Sequence, residues 1–211
     1  MVNWTRMEDN DTLKQDVQDW IKIIVETEAD INPANDNIAE TSKNYLLNDI
    51  PDKWFLNGSF GNKGQILRDL TNAPIKSDTD VLIIGVSTDA SNAEQRYRDS
   101  SVDELKNAAR QIFDLHEVVQ VVIDGEQLDS RSGLKEVATD VIDVTFPENN
   151  VYRDSLNAIA GPTKLFCLAW ALKVKFEPGY HEIVIISRHP PSDELGVNAF
   201  NQDVKYKIKV E

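Results

Sequence analysis

Three histidines, one cysteine and several clusters of acidic and aromatic side chains are the residues of this chain that could do chemistry. His116, His181 and His189 form neither an HxH nor an HExxH pattern, so the local spacing that brings two imidazoles onto one zinc ion is missing. His116 falls near the C-terminal end of a helical stripe, where a positive charge complements the helix dipole. His181 opens a strand just after a turn and reads as structural, while His189 precedes Pro190 and Pro191 in what reads as an exposed loop. A cluster of these histidines in space is left open. Cys167, set between Phe166 and Leu168, reads as a small buried hydrophobe, and being alone it can form no intramolecular disulfide. Gly58-Ser59-Phe60-Gly61 has the spacing of neither a nucleophile elbow nor a phosphate-binding loop, and no GxGxxG occurs. The expectation is a chain with no cofactor, no metal ligands and no assigned catalytic residues.

Acidic and amide residues gather at 8–11, 30–36 and 124–129. Calcium needs several converging oxygens, and the second cluster lacks the central glycine and closing glutamate of an EF-hand loop, so solvated loops are expected. Trp54, Phe55, Phe60 and Trp170 have two readings, a platform for a sugar ring or core packing, and core packing is the expectation because large aromatics dominate core burial.

These residues sit on a recognisable sequence of elements. Leu13, Val17, Trp20, Ile21, Ile24 and Val25 mark one face of a helix capped at Asp11 or Thr12 and ending near Asp30, before the Asn32-Pro33 break. Residues 35–48 carry a weak helical face. Trp54-Phe55-Leu56 reads as a strand entering a glycine-rich bend, with 65–70 as the returning strand. Residues 81–86 are a continuous apolar run suited to a strand buried on both faces.

Ser101-Val102-Asp103-Glu104 is a capping-box pattern opening a second helix. Residues 118–123 form a strand closed by Asp124-Gly125, a tight-turn pair. One further strand is expected over 137–146. Strands at 165–176 and 181–187 flank Glu177-Pro178-Gly179 and read as an antiparallel hairpin. Val204, Tyr206, Ile208 and Val210 alternate with Lys205, Lys207 and Lys209, which predicts a half-buried strand whose lysines guard a sheet edge.

No internal repeat or linker interrupts the chain. The expectation is a single α+β domain over 1–211: a helical segment at 1–50 packed on a β-sandwich, Ig-like or jelly-roll-like, formed by about 51–211. The formal net charge of −14 repels phosphate backbones and anionic lipid, so nucleic acid is not an expected partner. No stretch is long and apolar enough for membrane insertion. Two locations stay open, the cytoplasm, or export with a leader removed.

Several of these segments recur together elsewhere. Lys53-Trp54-Phe55-Leu56-Asn57-Gly58-Ser59-Phe60-Gly61 followed by Arg68 resembles the WFLAGTFGG…R segment of a family of uncharacterised prokaryotic proteins, mostly predicted to be exported. Asn32-Pro33, Asp103-Glu104-Leu105, Ile123-Asp124-Gly125, Phe146-Pro147-Glu148-Asn149-Asn150, Trp170 and Pro178-Gly179-Tyr180-His181-Glu182-Ile183 match its later motifs in order, the last against PGxHxI. Phe200 and Val204-Lys205-Tyr206 fit its terminus. The chain departs from it at Leu70, where members often carry a cysteine, and at Leu168-Ala169, where they are rich in aromatics and glycine. The resemblance implies no particular activity.

Three functions follow as expectations. The first is a non-catalytic binding or interaction module that takes a protein or carbohydrate ligand. The second is a hydrolase-type enzyme whose acidic residues converge only in three dimensions. The third is a structural component of a surface layer or complex. A concave site with two close carboxylates of perturbed acidity would favour the enzyme.

Overall fold

The computed structural model describes residues 3–7, 10–34, 53–60, 65–130 and 132–211. Its architecture is α+β, a sandwich of two mostly antiparallel sheets with a helix on the outer face of one of them. In chain order the elements are β1 (Trp4–Arg6), α1 (Asn10–Glu26), β2 (Lys53–Leu56), β3 (Ile66–Asp69), β4 (Asp80–Ser91), α2 (Val102–Phe113), β5 (Val118–Ile123), β6 (Glu126–Asp129), β7 (Lys135–Ala138), β8 (Ile142–Phe146), α3 (Arg153–Leu156), β9 (Gly161–Phe176), β10 (Gly179–His189) and β11 (Phe200–Val210). The first sheet runs β1-β9-β4-β2, with β7 and β8 also paired to β9; the second runs β3-β11-β10-β5-β6.

The apolar stripe of α1 lies on the outer face of the first sheet, where Trp20, Ile21 and Ile24 meet Phe55, Leu82, Ile84 and Leu165. A second core fills the space between the sheets, joining Ile83 and Leu172 to Val121, Ile185 and Tyr206, with Leu105, Ala109 and Phe113 of α2 closing one side. The first sheet is therefore covered on both faces, which is why the long strands β4 and β9 read as nearly continuous apolar runs. Ion pairs tie α1 down: Lys173 of β9 reaches Asp16 at 2.8 Å and the Thr12 hydroxyl at 2.5 Å, and Lys53 of β2 binds Asp16 from the other side.

The second helix begins as its sequence requires. The Ser101 hydroxyl accepts from the Glu104 amide, and the Glu104 carboxylate accepts from the Ser101 amide at 2.7 Å. The Asp124-Gly125 turn joins β5 to β6 with both residues at positive φ. Val204, Tyr206, Ile208 and Val210 point inward, as their alternation demands.

Several expectations are corrected. Helix α1 starts at Asn10, so Asp11 and Thr12 lie inside it rather than capping it, and it ends at Glu26 before a short 3-10 turn at Ala29–Ile31. The strand after the Trp54 segment does not return beside it: β3 crosses to the second sheet and runs parallel to β11. The stretch 137–146 is two strands, β7 and β8, stacked along one edge of β9. Strands β9 and β10 do not form a hairpin but belong to different sheets. Both edges of β9 are already taken, by β4 on one side and by β1, β7 and β8 on the other, so the chain must cross at Pro178. Finally, β11 is not an edge, since β10 and β3 flank it. The weak helix expected over 35–48 lies outside the described residues.

Candidate functional site

The site begins where β2 leaves the first sheet. Lys53–Leu56 pairs with β4 only as far as Ile83, and the chain then bends away through Asn57, Gly58 and Ser59. Arg68 of β3, itself buried, holds that bend by donating from Nη1 to the Asn57 carbonyl at 2.8 Å and to the Gly58 carbonyl at 3.2 Å, with the Tyr206 hydroxyl beside it. Gln202 of β11 accepts from the Ser59 amide and donates to the Gly85 carbonyl. A Cβ at position 58 would lie 1.9 Å from the Gln202 Oε1, so any larger residue there must displace that side chain. The register of β4 against β9 shifts between Ile84 and Val86, a local irregularity of the kind that re-aims side chains beside functional sites.

The edge of β4 from Ile84 to Asp89 thereby becomes one wall of a cavity of about 220 Å³. Trp20 and Ile24 of α1 line one side, Asn57 to Phe60 another, and Arg96, His116, Tyr152, His189 and Phe200 converge from separate loops and strand ends. Five aromatic or imidazole rings meet there, three in one group and two in another. His116 and His189 meet at 4.9 Å between centroids, His189 stacks on Phe200 at 5.6 Å, and Phe60 meets Tyr152 edge-on at 5.6 Å.

Asp89 is the carboxylate in the wall. Its Oδ1 accepts from the Tyr152 hydroxyl at 3.0 Å. Burial pushes its pKa up to about 6, against the opposing pull of Tyr152 and Arg96. Just beyond β4, Glu94 is fully buried, and burial together with the Asp89 charge raises it to about 7. Glu94 does not line the cavity. It accepts from the Ser91 amide at 2.9 Å and from Arg96 Nε at 3.4 Å.

Among the described residues, two polar atoms on the cavity lining have no hydrogen-bond partner: Trp20 Nε1, a donor, and Asn57 Oδ1, an acceptor. The Asn57 amide orientation is fixed by Nδ2, which donates to the Gly58 carbonyl at 2.9 Å. Buried groups of this kind are nearly always partnered, and each orphan costs about 1–3 kcal/mol.

The residues singled out in the sequence fare differently. His116 and His189 meet in space, and His189 is buried at the end of β10 rather than exposed in a loop. The Nδ1 of His116 contacts the Phe113 carbonyl at the end of α2, but burial and the neighbouring His189 push its pKa down to about 4, so the ring is neutral and complements no dipole with charge. His181 stands apart and ties two turns together, with Asp124 on Nδ1 at 2.7 Å and the Glu177 carbonyl on Nε2 at 2.8 Å. Cys167 is buried, with its thiol pKa pushed well up by burial. Of the four aromatics, Phe60 lines the cavity; Phe55 lies in the core under α1, Trp54 packs against the core between the sheets, and Trp170 stacks on Phe113 at 5.9 Å. Among the described residues no group of three or more histidine, cysteine or acidic side chains is placed to hold a metal ion. The acidic residue at 129 accepts locally from Ser132.

Asp89, Arg96 and Tyr152 were not legible as site residues. The one available signal was an aspartate closing a run, residues 81–90, that otherwise reads as buried.

No family model matches the chain, and no curated protein matches it. Among solved structures, one described as the solution structure of amebosin is 14% identical, covering 76% of this chain and 99% of that one, with a TM-score of 0.21. A likeness at that level carries no argument about fold or function. No helix among the described residues is long and apolar enough to cross a membrane.

Proposed function

We propose that this chain is a small-molecule-binding module, its ligand seated between α1, the Asn57–Phe60 bend and the open edge of β4. The observation that carries this reading is the pair of orphaned polar atoms, Trp20 Nε1 and Asn57 Oδ1, on residues of one cavity that also presents Asp89. A donor, an acceptor and a carboxylate set among apolar walls are the composition of a ligand site. The volume is below the roughly 300–1,000 Å³ of sites for drug-sized ligands, so the ligand is metabolite-sized. Net charge of −14 supports a partner other than nucleic acid. The test is a fragment screen by NMR on the full chain, reading the Trp20 indole N–H, assigned with a Trp20→Phe variant. Hits are expected to move that resonance; a library that leaves it unmoved sinks the reading.

A second reading has its own observation. Asp89 and Glu94 both titrate near neutrality, as acid–base groups of a hydrolase-type enzyme would. Since Glu94 is turned into the Ser91–Arg96 network and does not line the cavity, the two carboxylates do not flank a common substrate position. Turnover of chromogenic glycosides or esters, lost in Asp89→Asn, would favour this reading over binding.

A further inference from the structure

We propose that the cavity binds a small organic cation, with a protonated amine paired to Asp89 and an apolar body held against the aromatic walls; this rests on the reading of the cavity as a ligand site.

The argument is one of matching charge and hydrogen-bonding character. The cavity is rich in acceptors. Asn57 Oδ1 is an orphan acceptor. The neutral His116 uses its Nδ1–H on the Phe113 carbonyl, which leaves Nε2 as a lone pair. The His189 Nδ1 contacts the Pro190 carbonyl at 2.7 Å, so that nitrogen carries a hydrogen and is already engaged. Tyr152 is the side chain that donates to Asp89 among the described residues, and it occupies Oδ1.

Among the described residues Arg96 is the one cationic side chain in the lining, and its charge is shared with Glu94. Its Nε faces Glu94, and its guanidinium lies 4.6 Å over the Tyr97 ring. With Asp89 and Glu94 ionised, His116 neutral and Arg96 cationic, these four side chains together carry one net negative charge. An anionic ligand would meet Asp89 and Asn57 Oδ1 head-on. A neutral one would leave the half-buried Asp89 to share the Arg96 charge with Glu94, and low-dielectric surroundings penalise carboxylates short of counter-charge. The rings of Trp20, Phe60, Tyr152 and Phe200 present apolar faces, and aromatic faces attract ammonium groups. Trp20 Nε1 adds a single donor, which asks for an oxygen or other acceptor elsewhere on the same ligand.

The groups around Asp89 define the pH behaviour. They are Tyr152 before α3, Cys167 on β9, Glu94 and Arg96 after β4, His116 after α2 and His189 on β10. Tyr152 and Cys167 keep their protons, because burial raises both well above their ordinary range. Asp89 therefore controls amine binding: affinity rises with pH as Asp89 ionises near 6.

Three probes of one shape separate the outcomes: 2-phenylethylamine, 2-phenylethanol and 3-phenylpropanoate, titrated into the full chain and read at the Trp20 indole. At about pH 7.5 the amine should bind about tenfold tighter than either analogue, and its affinity should fall about tenfold at about pH 5, as the carboxylate is lost. Asp89→Asn should remove the preference while still binding the alcohol, which shows that the cavity is intact. Equal or tighter binding of the alcohol or the carboxylate overturns the cation assignment but leaves the cavity as a ligand site. Amine binding unchanged in Asp89→Asn also overturns it. No response to any of the three overturns it too, and the fragment screen then decides separately whether the cavity binds anything.

Discussion

At the scale of single residues, the two carboxylates at the end of β4 oppose folding at neutral pH. Both have folded-state pKa values raised above their ordinary ones, so the fold favours their protonated forms. The stability they allow is complete at low pH and declines as pH rises from about 4 to about 7. Glu94→Gln should therefore stabilise the protein at about pH 8 by roughly 1–3 kcal/mol and change little below about pH 4.5, as denaturant midpoints at the two pH values would report. Equal effects at both would show that Glu94 is ionised without penalty. A group retained against stability is the signature expected of a site. Gly58 gives a second test. Gly58→Ala should displace Gln202 from Ser59 and Gly85, costing about 2 kcal/mol, and should cost much less in a Gln202→Ala background. Additive effects would place the clash elsewhere. None of this could be read from the sequence, where Asp89 and Glu94 look like ordinary polar punctuation; their character comes from α1, β9 and the Tyr152 loop, brought over them by the fold.

At the scale of elements, what local chemistry decides was legible and what partner choice decides was not. The capping box at Ser101 and Glu104 needs only four consecutive residues, and it forms; Ser101→Ala should cost about 1 kcal/mol in chemical denaturation, and no change would mean that the cap is satisfied by solvent. The alternation in β11 likewise fixes which side chains point inward. Strand pairing is different, because a strand's sequence records burial but not the identity of its neighbours. Glu177-Pro178-Gly179 looks the same whether it joins a hairpin or carries the chain between sheets, and the choice falls to the strands already lining β9. The same limit misplaced β11. Its lysines face outward, Lys205 pairing with Glu182 at 2.7 Å and Lys209 with Glu211, but β3 covers the edge that they were expected to guard. Replacing Lys205, Lys207 and Lys209 together by glutamine should consequently leave the sedimentation behaviour unchanged. Increased self-association would show that β3 detaches readily and that the lysines do protect an edge.

At the scale of the whole molecule, β11 is where fold and cavity depend on one another. Four of its side chains, Val204, Tyr206, Ile208 and Val210, are buried in the core between the sheets. Burial at about 1.5–3 kcal/mol each is, as an upper estimate, comparable to the entire stability of a typical domain, about 5–15 kcal/mol. The strand also supports parts of the structure that it does not enclose. Tyr206 partners the buried Arg68, and Arg68 carries the carbonyls of the Asn57–Gly58 bend, while Gln202, two residues before Val204, fastens that bend to Gly85. Removing residues 203–211 would strip β3 of its partner, leave Arg68 without the Tyr206 hydroxyl and release the bend that forms the cavity wall. The truncated chain should therefore lack a cooperative thermal transition and lose the dispersed amide spectrum of the intact protein. The single variant Tyr206→Phe separates the two roles. It keeps the ring and most of the buried area but removes the hydroxyl that bonds Arg68 and Asn57, so it should fold, lose about 1–3 kcal/mol, and disturb the Asn57–Ser59 amides more than those of β10. A Tyr206→Phe protein whose bend resonances are unmoved would show that Arg68 and Gln202 hold the wall in place without the hydroxyl, and would leave Tyr206 a part in core packing only.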